Sequence, residues 1–340
     1  MKLKDLPMTF RPNSSLRHLV VGAMAIVLAG AAFPAFPDSG TVNIYSARKE
    51  ALILPLLERF ETKTGIGFRL ITGKADELLK RLEIEGKASP ADVFITVDAG
   101  RLQRAKEAGV LQPFTSDALK QAVPSHLRDT EDFWVGLSQR ARTMVYAESR
   151  VTPGELSTYE DLADPKWRGR LCVRSSNNIY NQSLVASMIE AIGEKETEAW
   201  AEGLVANFAQ PPAGGDTDQI KALAAGVCDV AVVNTYYFGR LLNSGREADR
   251  QLTDGLRVFW PNQDGRGVHV NVSGAGLARH AASVEQAVRL LEFLVEPESQ
   301  SWYAEVNNEY PVVPGVGSSE TLESFGAFKA DEIDLTLLGD

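Results

Sequence analysis

Val93-Phe94-Ile95-Thr96-Val97 is the stretch on which the reading of the fold turns. Its apolar side chains do not alternate with polar ones, so as a strand it has two apolar faces and needs cover on both sides. Working back toward the N-terminus, residues 76–85 and 51–61 have helical periodicity, while 68–71 and 42–45 read as strands. That order is the alternation of βαβ units, with helices packed on each side of a parallel or mixed sheet. Pro55 falls inside the first helix, where it removes one backbone hydrogen bond. Working forward, the pattern repeats. Strands are expected at 143–146, 170–174 and 229–233, with helices at 181–192, 194–207 and 217–225. Pro211-Pro212-Ala213-Gly214-Gly215-Asp216 and Pro261-Asn262-Gln263-Asp264-Gly265 read as loops. A strand at 268–277 and an amphipathic helix at 284–295 follow. The chain is therefore expected to be α/β and to hold two domains, which its 340 residues allow.

The N-terminus reads differently. Lys2, Lys4, Arg11 and Arg17 precede an uncharged run from Leu19 to Pro37 that ends in small residues, the pattern of a secretory signal peptide over residues 1–37. A retained membrane anchor is the competing reading; two prolines and many small residues speak against it. Removing four basic residues and Asp5 takes the formal charge from −10 to −13. So acidic a chain is a poor partner for nucleic acid or an anionic membrane, and no later run is long enough to insert after the signal is removed. Export implies an oxidising compartment. Cys172 and Cys228 stand at the starts of two expected strands of one region, so a disulfide between them is the favoured reading and two buried thiols the other.

Chemistry enters with Asn234-Thr235-Tyr236-Tyr237. A strand sends neighbouring side chains to opposite faces, so Tyr236 and Tyr237 reach one place only if the strand breaks there into a turn or helix. A pair of phenols is otherwise an aromatic contact at a strand end. A third, Tyr180, follows Arg174-Ser175-Ser176-Asn177-Asn178-Ile179, a turn entering a helix whose first N–H groups face outward; Ser and Asn are also ordinary helix caps. Arg140-Ala141-Arg142 places two guanidiniums on one face of an extended segment, either as a solvated pair or as a fork for a small planar anion.

These residues resemble the periplasmic ferric-ion-binding proteins of bacterial ABC iron importers, which are type II solute-binding proteins. The resemblance covers nearly all of the chain after the signal and rests on Tyr45-Ser46-Ala47-Arg48, Ser89-Pro90-Ala91-Asp92-Val93, Ile95-Thr96-Val97-Asp98-Ala99-Gly100, Arg140-Ala141-Arg142, Cys172-Val173-Arg174-Ser175, Tyr180-Asn181-Gln182-Ser183-Leu184, Asn234-Thr235-Tyr236-Tyr237 and Glu309-Tyr310-Pro311-Val312. It implies a two-lobed fold, each lobe a mixed, mainly parallel sheet flanked by helices, with the ligand in the cleft between them. Residues 38–141 with 270–318 would form the first lobe, and 142–269 with 319–340 the second. It implies that Fe3+ is held as cargo by the phenolates of Tyr180, Tyr236 and Tyr237, completed by a synergistic anion such as carbonate. Arg142 or Arg140, the helix start at Asn177 and Asn178, and Asn234 are the expected seat of that anion. The chain would be a monomer in the periplasm, serving an inner-membrane ABC permease, and no enzyme. It departs from the pattern in the first lobe. Where many members carry His or His-Tyr, Lys49 and Glu50 stand here, which points to a subgroup using three tyrosines plus an anion. Glu50 could still offer a carboxylate, and Arg48 or Lys49 could neutralise the anion or the phenolates.

Elementary chemistry leads the same way. A small trivalent cation favours anionic oxygen and drives deprotonation of its ligands. Zinc and copper recruit histidine and cysteine, yet His18, His126, His269 and His280 are scattered. A secreted enzyme is the alternative from a different class; no Gly-x-Ser-x-Gly elbow, His-Glu-x-x-His motif or phosphate loop is present. A related binding protein for an organic cation or oxyanion is the nearer alternative.

Overall fold

The chain is described over residues 40–339 by a computed structural model; the signal segment expected over 1–37 lies outside these residues. It runs β1 (Thr41–Ser46), α1 (Glu50–Thr64), β2 (Gly67–Thr72), α2 (Ala75–Glu85), β3 (Val93–Val97), α3 (Ala99–Glu107), β4 (Leu111–Gln112), α4 (Asp117–Ala122), β5 (Trp134–Ala147) and β6 (Leu171–Val173). Then come α5 (Ile179–Ile192), α6 (Glu194–Ala206), α7 (Asp216–Ala224), β7 (Val230–Asn234), α8 (Thr235–Leu242), α9 (Glu247–Gln251), β8 (Leu256–Phe259), β9 (Val270–Ala278), α10 (Val284–Leu294), α11 (Pro297–Trp302) and α12 (Glu320–Glu323). No described helix is long and apolar enough to cross a membrane.

β3 has the cover its sequence demands. Val93 and Ile95 enter a core with Val42, Ile44, Leu102 and Leu290, while Phe94 turns to the other face against Leu78, Leu82 and Tyr45. At about 1.5–3 kcal/mol for each large side chain taken from water, these two faces bind helices to both sides of the sheet. The strand order is β2-β1-β3-β9-β5-β7-β6, with β4 on β9 and β8 on β5. β1 pairs in parallel with β2 and β3, and β6 with β7. Each of these parallel groups meets an antiparallel crossing strand.

The crossings make two lobes of one chain. β5 pairs with β9 through Ala141, and from Arg142 onward with β7. What read as a four-residue strand at 143–146 is thus the far half of a 14-residue strand. A second core gathers Met144, Val145, Trp167, Leu171, Val230 and Val232 around β6 and β7.

The C-terminus departs from expectation. Leu322 and Phe325 join the second core, and Ala330 bridges to Val268. The last turn, Leu335–Gly339, instead buries Leu335 and Leu338 in the first core. Residues 319–340 do not all belong to the second lobe, because this apolar pair finds its cover on α3. The approach is so close that a Cβ on Gly100 would lie 2.3 Å from the Leu338 carbonyl oxygen.

Cys172 and Cys228 form a disulfide, with Cα atoms 5.8 Å apart and 56 residues between them in sequence. The parallel β6–β7 pair sets both chains side by side. Closing a loop of that length restricts the unfolded chain, so Cys172→Ala with Cys228→Ala is expected to lower stability by about 4 kcal/mol in urea denaturation. A change below about 1 kcal/mol would show that strand pairing alone holds this region.

Candidate metal centre

β7 passes into α8 with no loop between, Asn234 being the last strand residue and Thr235 the first helical one. The change of geometry brings Tyr236 and Tyr237 together, their ring centroids 4.4 Å apart. One turn on, Arg240 lies over both rings, at 4.8 Å and 5.6 Å. Tyr180 is the second residue of α5 and lies close enough to Tyr236 and Tyr237 for their charges to act on one another. The structure therefore brings all three phenols into one cluster. Arg140 and Arg174 lie over the Tyr180 ring at 5.6 Å and 5.5 Å. Tyr236 is 6% exposed. Burial, then the neighbouring phenols, raise its pKa well above the ordinary value. Tyr180 is raised by burial and by Tyr237, against the opposing pull of Arg140. Both are neutral phenols near pH 7 unless a cation displaces the protons.

Arg142 is not an open anion seat. Nε and Nη2 donate to Asn181 Oδ1 at 3.1 Å and 2.6 Å, Nη1 donates to Asp216 Oδ2 at 2.9 Å and Asn234 Oδ1 at 3.0 Å, and Nη2 also reaches the Val232 carbonyl at 3.2 Å. Its guanidinium ties α5, α7 and β7 together instead. Asn178 spends its side chain as the cap of α5, Oδ1 accepting from Tyr180 N–H at 3.0 Å, and Asn177 is exposed. The start of α5 is thus capped from within, as the alternative reading of its Asn residues allowed.

Arg140 is placed differently from Arg142. Its Nη2 donates to Asp98 at 3.0 Å, while Nη1 is buried with no partner among the described residues. Asn234 Nδ2 and Asn271 Nδ2 are in the same condition, and all three residues line one small cavity beside Tyr180. Three enclosed N–H donors around one space call for an acceptor, since a buried donor without one costs about 1–3 kcal/mol. His269 lines the same cavity; burial and the nearby arginines push its pKa down to about 3, so it is neutral.

From the first lobe, Arg48 is spent on a buried pair, Nη2 donating to Glu309 at 2.9 Å, with Ser138 hydrogen-bonded to the same carboxylate. Lys49 and Glu50 are exposed at the start of α1. Asp98 is the first-lobe residue that sequence reasoning passed over. Its backbone has φ 91°, it caps α3, and it accepts from Ser183 Oγ of α5 at 2.6 Å as well as from Arg140. An Asp directly after an apolar strand and before a helix was the available signal. Asp216, at the end of the proline-glycine loop, was missed in the same way.

Among the described residues no group of three His, Cys, Asp or Glu is placed to hold a metal ion. Residues 88–329 match the family described as bacterial extracellular solute-binding protein. The chain belongs to that family. As a solute-binding protein it is 50% identical over 298 residues to iron uptake protein A1 of Synechocystis sp., covering 88% of this chain and 83% of the relative. A Trichodesmium structure in complex with iron and citrate ligands superposes with a TM-score of 0.85 at 50% identity, covering 88% of this chain and 95% of that one. The ferric binding protein from Campylobacter jejuni superposes with a TM-score of 0.84 at 39% identity over 88% and 95%. Solute-binding proteins of this two-lobed build close by hinge motion around their ligand. Tyr180 lines a small cavity together with Asp98, and Ser183, three residues on in α5, donates to the same carboxylate.

Proposed function

We propose that this solute-binding protein captures ferric ion through the phenolates of Tyr180, Tyr236 and Tyr237, with a small synergistic anion, and delivers it to an inner-membrane ABC permease. The observation that carries the reading is the meeting of three phenols from two separate helices in one cluster. Three phenolates balance a trivalent charge, and hard anionic oxygen suits Fe3+. The anion, carbonate or one of similar size, accepts from Arg140 Nη1, Asn234 Nδ2 and Asn271 Nδ2, the donors that otherwise lack partners. Arg142 and Asn178 hold the frame around it. Glu50 is a candidate for a remaining position on the ion.

The family places the protein in the periplasm with an ABC transporter, and its relatives are transport proteins rather than enzymes. The finer assignments are part of the proposal: a signal over 1–37, a monomer, and lobes of 38–141 with 270–318 and of 142–269 with 319–334, the last turn returning to the first lobe. The test is a visible absorption titration of the signal-free chain with ferric salt and bicarbonate. A broad phenolate-to-iron charge-transfer band saturating at one iron per chain is expected. A folded chain that develops no such band binds something else, and organic cations or oxyanions become the ligands to screen.

A further inference from the structure

Between β6, α5 and α6 lies a second and larger space of about 320 Å³. Its walls include Leu162, Leu184, Trp200 and Phe208, with Arg174, Ser175, Ser176 and Asn181 among the polar members, and no carboxylate of the described residues lines it. Protein interiors are packed nearly as densely as organic crystals, and voids much larger than a water are few. A mostly apolar cavity above ~300 Å³ with a small polar group set is the anatomy of a ligand pocket.

Charge says what the polar end would meet. Asp216 is the carboxylate that pairs with Arg174, Oδ1 lying 3.2 Å from Nη1, but its Oδ2 already serves Arg142 at 2.9 Å. Two guanidiniums thus share one carboxylate, a surplus of one positive charge. Arg174 Nε is enclosed and has no hydrogen-bond partner among the described residues. An apolar cavity of 150 Å³ accommodates benzene, so this one has room for a body of about eight to ten carbon atoms. The entrance is marked by exposed Ser176 and Pro212 and by Val205, which is 59% exposed although it belongs to the lining.

We infer that the second lobe binds a compact apolar monocarboxylate, its hydrocarbon part among Leu162, Trp200 and Phe208 and its carboxylate on Arg174. The site shares Arg174 with the tyrosine cluster, since the guanidinium lies over the Tyr180 ring, but its occupation needs no iron.

The probe is sodium octanoate, titrated calorimetrically into the iron-free chain, with 1-octanol as the uncharged comparison. Octanoate is expected to saturate at one per chain and to bind about tenfold or more tightly than octanol, the scale of one charge-assisted hydrogen bond. Val205→Trp closes the entrance from an exposed position. It should abolish octanoate binding while the ferric charge-transfer titration stays unchanged, which also shows that the variant is folded. Absence of saturable octanoate binding, equal binding of octanol, or undiminished octanoate binding by V205W would each overturn the inference.

Discussion

Tyr236→Phe is expected to lower ferric affinity by more than about a hundredfold without unfolding the chain. Groups that merely orient a metal ligand cost 10–100-fold when removed, and Tyr236 is proposed to bind the ion directly, so its loss should exceed that range. The phenyl ring remains, packed at 4.4 Å from Tyr237 and under Arg240, so the substitution removes an oxygen and little packing. The proton count separates this from a general weakening. Burial raises the pKa of Tyr180 and Tyr236, so the phenols are protonated before iron arrives and each phenolate formed releases one proton. Ferric binding near pH 7 should therefore release about one phenolic proton fewer in Y236F than in the natural chain, and apparent affinity should rise with pH more steeply in the latter. The comparison is a pH-stat titration beside the visible spectrum. Equal proton release in both proteins, with an unshifted charge-transfer band, would remove Tyr236 from the ligand set.

The parts of this molecule legible in the sequence were those governed by short-range pattern. Val93–Val97 announced cover on both faces because five residues carry that information themselves. Tyr236 and Tyr237 implied a strand-to-helix junction because no straight strand brings neighbours to one side. The partners of the arginines were not legible in this way. Arg140 and Arg142 are two residues apart on one strand, and nothing local says that the first meets Asp98, 42 residues back, and the second Asp216, 74 residues on. Those contacts arise from β5 crossing between lobes and from α7 docking against β7, both products of long-range packing. The return of Leu335 and Leu338 to the first core is of the same kind: the apolar pair was visible, but the flat surface offered by Gly100 is a property of the folded helix. The cavity behind Arg174 has no sequence signature at all, since a void is defined by what surrounding helices fail to fill.

Arg142→Met should show how much of the site rests on that crossing, with a loss of about 3–5 kcal/mol of stability in denaturant unfolding. The Arg142 side chain is 2% exposed and that of Asp216 is 0%, and each buried acceptor left without its donor costs about 1–3 kcal/mol. Methionine supplies similar length and apolar volume, so the cavity contribution is small and the lost polar partners dominate. Asp216 keeps Arg174 and the Asn234 N–H. Asn181 Oδ1 and Asn234 Oδ1 each lose the guanidinium they accept from. Asn181 lies next to Tyr180, and Asn234 lies two residues before Tyr236. The same substitution should therefore weaken ferric binding although Arg142 is assigned no contact with the ion. Arg142→Lys distinguishes charge from geometry: an ammonium can reach one acceptor but cannot span Asn181, Asp216 and Asn234 as the planar fork does. Its stability should fall between the natural chain and R142M. A lysine variant equal to the natural chain would mean that charge alone suffices. An R142M loss under about 1 kcal/mol would mean that the strand crossing, and not this guanidinium, holds α5 and α8 in register.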